Sequence, residues 1–144
     1  MTSKPARIPR SEWSEDDGDG GAPWNGLFEG GDIGTDITVL FYSTDKVGAG
    51  PRLHVHTYDE LFIIRQGRAL FTVGGEKIEA SAGDIVFGPA NVPHKFHNLG
   101  PGRLETTDIH LSDRFEQTAV EDPETVGKDR SNRAERSTSG PGNT

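Results

Sequence analysis

The chain has 144 residues and a mass of 15.6 kDa, the size of one domain. It contains no cysteine, which excludes disulfides, thiolate metal ligands and cysteine nucleophiles. Its 23 acidic and 15 basic residues leave a net charge of -8, the wrong sign for a general nucleic-acid or anionic-membrane surface. No stretch approaches the roughly 18 apolar residues of a membrane span. Residues 1–13 lack the apolar core of a secretory signal, so the expected compartment is the cytoplasm.

Leu, Ile, Val and Phe fill 25 of the 80 positions from 33 to 112, but only 6 of the other 64. So sparse a supply of large apolar groups cannot offset ordering entropy by burial. Residues 1–21 therefore read as a flexible acidic N-terminal tail and 118–144 as a disordered C-terminal tail. Residues 22–32 read as an arm whose Trp24, Leu27 and Phe28 pack on the domain or on a partner subunit. The domain proper is expected over 33–117.

Within it, Ile33 to Tyr42 alternates Ile33, Thr35, Ile37, Val39 and Phe41 on one face, with Leu40 and Tyr42 on the other, as in a strand covered on both sides. Glu60 to Gln66 reads as a second strand, stopped by Gly67. Ala69 to Val73 and Lys77 to Ala80 flank Gly74-Gly75, a two-residue hairpin signal. Ile85 to Phe87, His94 to Leu99 and Arg103 to Leu111 follow, separated by Gly- and Pro-containing turns. Short strands, punctuated turns and no sustained helical period predict an all-β sandwich or barrel.

Five histidines are present, at 54, 56, 94, 97 and 110. In an extended chain His54 and His56 point to one face, and Leu53 and Val55 to the other. Glu60 keeps the same parity as it enters the next strand. Two imidazoles and a carboxylate converging from adjacent strands suit a divalent transition metal, and His94, after the turn at 88–93, could add a fourth ligand. His97 has the opposite parity from His94 and should point away. His110, flanked by Ile109 and Leu111, reads as structural or surface, and nothing in the last strand is assigned to the site.

These residues also carry a resemblance. Gly48, His54, His56, Glu60 and Gly67 stand at the spacings of the first cupin motif, and Gly83, Pro89, Asn91, His94 and Asn98 at those of the second. The one departure is Asn91 where the motif has glycine. Asn is the non-glycine residue best able to adopt the left-handed conformation, so the turn should survive. The core is thus similar to a small single-domain cupin. That resemblance implies a jelly-roll β-barrel with one divalent metal inside (Fe, Mn, Ni, Co, Cu or Zn), held by His54, His56, Glu60 and His94.

Residues of the inward parity, Arg52, Tyr58, Phe62 and Phe96 above all, are expected to line a substrate pocket, with Arg52 able to pair with a substrate carboxylate. Ile64 and Asn98 share the parity, and Asn98 should tie down its turn through backbone hydrogen bonds. Family analogy implies a metal-dependent, dioxygenase-like enzyme acting on a small oxygenated molecule, with Glu60 as base. The alternatives are a redox-neutral isomerase, cyclase or lyase, a non-catalytic small-ligand binder, and a metal-bearing domain with no small-molecule role. The family's habit and the apolar first strand imply a homodimer.

Overall fold

A computed structural model describes residues 4–15 and 24–125. Its strands are β1 (Gly26–Glu29), β2 (Thr38–Thr44), β3 (His54–Val55), β4 (Glu60–Gln66), β5 (Arg68–Val73), β6 (Glu76–Ser81), β7 (Ile85–Gly88), β8 (His94–Asn98), β9 (Leu104–His110) and β10 (Thr118–Ala119). Among the described residues the only helical pieces are α1 (Arg10–Trp13) and a 3-10 turn at Gly30–Ile33. The strands form two antiparallel five-stranded sheets, in the orders β1-β2-β9-β4-β7 and β10-β3-β8-β5-β6. This is the all-β jelly-roll architecture the sequence predicts.

Turn chemistry sets the register. Gly74 and Gly75 both have positive φ, at 57° and 89°, and close the β5–β6 hairpin with Val73 opposite Glu76. Asn91 has φ 65°, so asparagine does take the left-handed conformation here. Asn98 accepts the Gly100 N–H at 2.8 Å and donates to the Gly102 carbonyl at 2.9 Å, pinning the β8–β9 connection as expected.

The core lies between the sheets. Phe62, Ile64, Phe71, Phe96 and Leu104 are buried there with Ala69, Val73, Ala80 and Val86. Phe62, Phe71 and Phe96 meet at tilted or edge-on angles, with centroids 4.9–5.7 Å apart, the arrangement aromatic quadrupoles favour.

Three expectations need correction. The first long strand starts at Thr38 rather than Ile33, because Gly34 turns left-handed at φ 79° and ends the 3-10 turn. The early residues assigned to a free tail pack on the domain: the Trp13 ring stacks on Phe41 at 3.6 Å, and Trp24 meets both edge-on at 5.2 Å. The arm therefore covers its own chain, and β1 pairs with β2. Thr118–Ala119, assigned to the C-terminal tail, forms β10 against β3. The remainder of the two tail assignments, residues 1–3, 16–21 and 126–144, lies outside the described residues, as do 22–23 of the arm.

Candidate metal centre

The ligand candidates come from both sheets: β3 and β8 are paired neighbours in one, and β4 lies in the other. β3 meets β8 with His54 opposite His94. β4 begins at Glu60, which lies opposite Gly88 on β7 and His110 on β9. Gly88 matters locally: a Cβ there would stand 3.2 Å from the Phe62 ring and 3.4 Å from His94 Nδ1. Its bare backbone lets the imidazole lie against it.

His54, His56, Glu60 and His94 are all buried, and one donor atom from each lies within 4.8 Å of every other. Glu60 Oε1 is 3.0 Å from His56 Nε2 and 3.1 Å from His94 Nε2. Donors about 2.1 Å from one ion and at right angles to each other stand about 3 Å apart, so the spacing fits.

The outward ring nitrogens fix the tautomers. His54 Nδ1 lies 2.6 Å from the Arg52 carbonyl, His56 Nδ1 2.6 Å from the Glu116 carbonyl, and His94 Nδ1 3.2 Å from the Val92 carbonyl. A carbonyl only accepts, so Nδ1 of His54 and of His56 carries the hydrogen and their Nε2 atoms turn a lone pair inward, as metal-binding histidines require; His94 Nε2 is hydrogen-bonded to Glu60 Oε1 at 3.1 Å, a contact that a bound ion would replace. His54 Nε2 and His56 Nε2 are buried with no hydrogen-bond partner among the described residues. Orphaned buried nitrogens are costly, and a shared cation would relieve them. The donor set fits a divalent transition metal.

Electrostatics agree. Burial, reinforced by the neighbouring His94, pushes the His54 imidazole down to about 3, which keeps it neutral. Burial alone would raise the Glu60 carboxyl, but the His110, His56 and His94 rings outweigh it and hold Glu60 well below its usual value.

The other predicted residues divide. Tyr58 lies at the site: its ring stacks on His56 at 4.9 Å and its hydroxyl is 2.7 Å from His110 Nδ1. Arg52 is half-buried, and its Nε is enclosed with no hydrogen-bond partner. Phe62 and Phe96 are a correction. They are 0% and 1% exposed and packed with Phe71, so they form an apolar floor beneath the histidines instead of an open pocket wall. Phe62 meets His94 edge-on at 5.2 Å. His97 faces outward, as expected, between the buried Phe96 and Asn98.

His110 is the residue that sequence reasoning left out. It is 0% exposed, with Nε2 3.0 Å from Glu60 Oε2. Burial lowers its pKa against the pull of Glu60. Its neighbours misled: Ile109 and Leu111 are apolar, yet they belong to the outer face of the sheet, where Leu111 is 45% exposed. The usable signal was β9 itself, whose inward residues Thr106, Asp108 and His110 are polar and fully buried. The segment after β9 was also missed. Glu116 supplies the carbonyl that holds His56, and Phe115 packs 5.6 Å from His110.

Comparison with known proteins agrees with this fold. Residues 41–110 match the family model described as Cupin domain. An uncharacterized protein of Methanocaldococcus jannaschii is 42% identical over 55 residues, which are 38% of this chain and 44% of that protein. An uncharacterized protein of Streptomyces coelicolor is 36% identical over 63 residues, 44% of this chain and 59% of that protein. The chain thus spans about half the length of these curated relatives.

Among solved structures, an uncharacterized conserved protein with a double-stranded beta-helix domain from Klebsiella pneumoniae superposes with a TM-score of 0.62. It is 18% identical over 81% of this chain and 92% of that one. A point mutant of Bacillus subtilis oxalate decarboxylase gives a TM-score of 0.62 at 21% identity, covering 75% of this chain and 34% of that one. At such identities the likeness is one of fold.

Proposed function

We propose that this chain, which belongs to the cupin superfamily, holds one divalent transition metal ion at His54, His56, Glu60 and His94 and acts through it on a small oxygenated organic molecule. The reaction we favour is dioxygenase-like. The observation that carries the reading is the convergence of three imidazole Nε2 atoms and Glu60 Oε1 in a buried cluster, with the outer ring nitrogens tied to backbone carbonyls. A bound ion would supply Lewis acidity and, as Fe, Ni or Cu, access to O₂ chemistry.

The chain's own residues would do the rest. The Arg52, Val92 and Glu116 carbonyls hold the imidazoles in the binding tautomer. Glu60, released from the ion, would take a proton from the substrate at Oε1. Arg52 would pair with a substrate carboxylate through a guanidinium whose Nε lacks a partner. The buried polar inner face of β9 suits a ligand rich in oxygen better than a hydrocarbon, because buried hydroxyls need partners. The test is O₂ uptake by Fe-, Ni- or Cu-loaded protein across a panel of enols, catechols and hydroxy acids. No turnover with any metal and any member would overturn the catalytic reading. A Glu60→Gln variant that keeps both metal and full activity would remove Glu60 as base.

A second reading has its own observation. All four ligands are at most 2% exposed, and Phe62, Ile64 and Phe96 fill the space below them, as in a closed site that only stabilises the fold. Azide added to the Co(II)-loaded protein separates the two. A changed visible spectrum means an open coordination position, and an unchanged one favours the closed site.

We further propose a homodimer. The outer face of β7, β4 and β9 sets Phe87, Leu61 and Ile109 in one row and Ile85 beside Ile63 in the next. Ile85 is 62% and Phe87 51% exposed. An uncharged apolar face matches its own copy across a two-fold axis. Light scattering should give twice the chain mass, and Ile85→Glu/Phe87→Glu should halve it. A monomeric wild type would contradict the proposal.

A further inference from the structure

We propose that Gln117 is a specificity-determining residue of the site, accepting the hydroxyl hydrogen of a small hydroxy acid held at the ion. The proposal rests on the reading above, a metal-bound small oxygenated ligand, and narrows its chemical class.

The fold leaves several buried polar groups unsatisfied. Such groups nearly always find partners, and those that do not call for a reason. Among the described residues, the buried side-chain atoms without a hydrogen-bond partner include Thr38 Oγ1, Arg52 Nε, Thr106 Oγ1 and Gln117 Oε1, beside atoms of the histidine cluster itself. They gather around that cluster. Thr38 lies opposite His110 where β2 meets β9, and Thr106 lies on β9 four residues before His110. Arg52 precedes His54 by two residues, and Gln117 immediately precedes β10.

Strand register places Gln117. β10 is the edge strand of its sheet and pairs with β3, Thr118 opposite Val55 and Ala119 opposite His54. The pairing runs on at both ends. The Val120 N–H donates to the Leu53 carbonyl at 3.1 Å, and Thr57 Oγ1 donates to Glu116 Oε1 at 2.7 Å. The same register sets Gln117 opposite His56. Directly opposed residues send their side chains to one face, and successive residues alternate between faces. Gln117 therefore shares the face of His56, while the exposed Glu116 and Thr118 flank it on the other. Ala119, opposite His54, is small and exposed, so no bulky side chain of β10 caps that imidazole. The segment is also fastened, because the Glu116 carbonyl lies 2.6 Å from His56 Nδ1 and Glu29 Oε2 accepts the Phe115 N–H at 2.8 Å. The amide is thus held in place beside a candidate ligand.

The unmet needs describe a molecule. Arg52 Nε carries a hydrogen and wants an acceptor, best met by a carboxylate oxygen. Gln117 Oε1 only accepts and wants a donor. A hydroxy acid answers both. Its hydroxyl can also keep its oxygen on the ion while giving its hydrogen to Oε1, which an ammonium group, with no lone pair, cannot do. An ionised carboxylate without a hydroxyl has no hydrogen to give and would leave Oε1 unmet. Sites built around a ligand hydroxyl reject the analogue that lacks it more strongly than shape alone allows.

The test uses the Co(II)-loaded full chain, with glycolate and methoxyacetate as probes and the visible spectrum as readout. Methoxyacetate keeps the carboxylate and the second oxygen but has no hydroxyl hydrogen. Wild type should bind glycolate about ten- to a hundredfold more tightly than methoxyacetate. Gln117→Leu keeps the side-chain bulk and removes the acceptor, so the ratio should fall to about threefold or less. Gln117→Met, equally long, is the second variant and should behave alike. Thr118→Ala, on the other face, should keep the wild-type ratio. Uptake of Co(II) by each variant shows its site to be intact. Equal affinity of wild type for the two anions, the wild-type ratio in both Gln117 variants, or a ratio lost equally in Thr118→Ala would overturn the proposal. A wild type that binds no Co(II), or whose Co(II) spectrum answers neither anion, would instead overturn the metal and ligand reading beneath it.

Discussion

The metal-free protein should lose stability as soon as the pH falls below the ordinary histidine range, with His54 as a principal cause. Its ring is 2% exposed, and burial together with His94 lowers its pKa from 6.5 to about 3. An unfolded chain protonates this histidine near 6.5, and the folded one only near 3. Between those values the unfolded state binds more protons, so stability falls with acidification, by up to about 1.4 kcal/mol per pH unit. The loss from His54 is about 2 kcal/mol at pH 5 and about 4 kcal/mol at pH 3.

His110, lowered by burial, acts in the same direction. Glu60, held below its ordinary value, adds its own loss once the pH falls below about 4.5. Against a total stability of about 5–15 kcal/mol these are large effects. Urea unfolding of chelator-treated protein at pH 7.5 and 5.0 measures them, with His54→Gln alongside. The wild type should weaken by at least about 2 kcal/mol across that interval, and the variant by distinctly less. Equal stability at the two pH values, or the same loss in the variant, would refute the reasoning.

Trp13→Ala should cost about 2 kcal/mol, since a half-buried ring stacked on Phe41 loses a part of the cost of a fully buried one. Thermal unfolding checks it, and an unchanged midpoint would place the N-terminal segment off the domain. Gly88→Ala should weaken Co(II) binding without unfolding the chain, because its Cβ would crowd Phe62 at 3.2 Å and His94 at 3.4 Å. Chelator competition reads it, and wild-type affinity would count against a His94 position set by that strand. Asn91→Gly should leave stability unchanged or raise it slightly. Asn91→Val, forced to φ 65°, should cost about 1–2 kcal/mol in urea unfolding.

Spacing made the ligand set legible. His54 and His56 share a face by strand parity, Glu60 follows at the start of β4, and Asn91 holds the turn that delivers His94. What sequence could not give was the outer surface. Parity was anchored by histidines in β3 and β8 but by nothing in β9, and there the usual equation of apolar with inside fails. Ile109 lies on an outer face that also carries Ile63, Ile85 and Phe87, while Thr106, Asp108 and His110 fill the interior. The same inversion hid the helpers of the site. Trp13 sits in a segment too poor in apolar residues to suggest order, and Glu116, at the C-terminal edge of the expected domain, acts through its backbone, which carries no side-chain signal. Each is held by a few specific contacts, an aromatic stack and two backbone hydrogen bonds, rather than by bulk burial.

The measurement closest to the central claim is metal content. The protein would be purified without chelator or affinity metal and analysed by mass spectrometry beside a His54→Ala/His94→Ala variant of confirmed fold. The account predicts about one equivalent of a single transition metal in the wild type and none in the variant, with Fe, Ni or Cu directing the next assay to O₂ uptake. No metal in the wild type, even after incubation with each ion in turn, or equal metal in the variant, would contradict it.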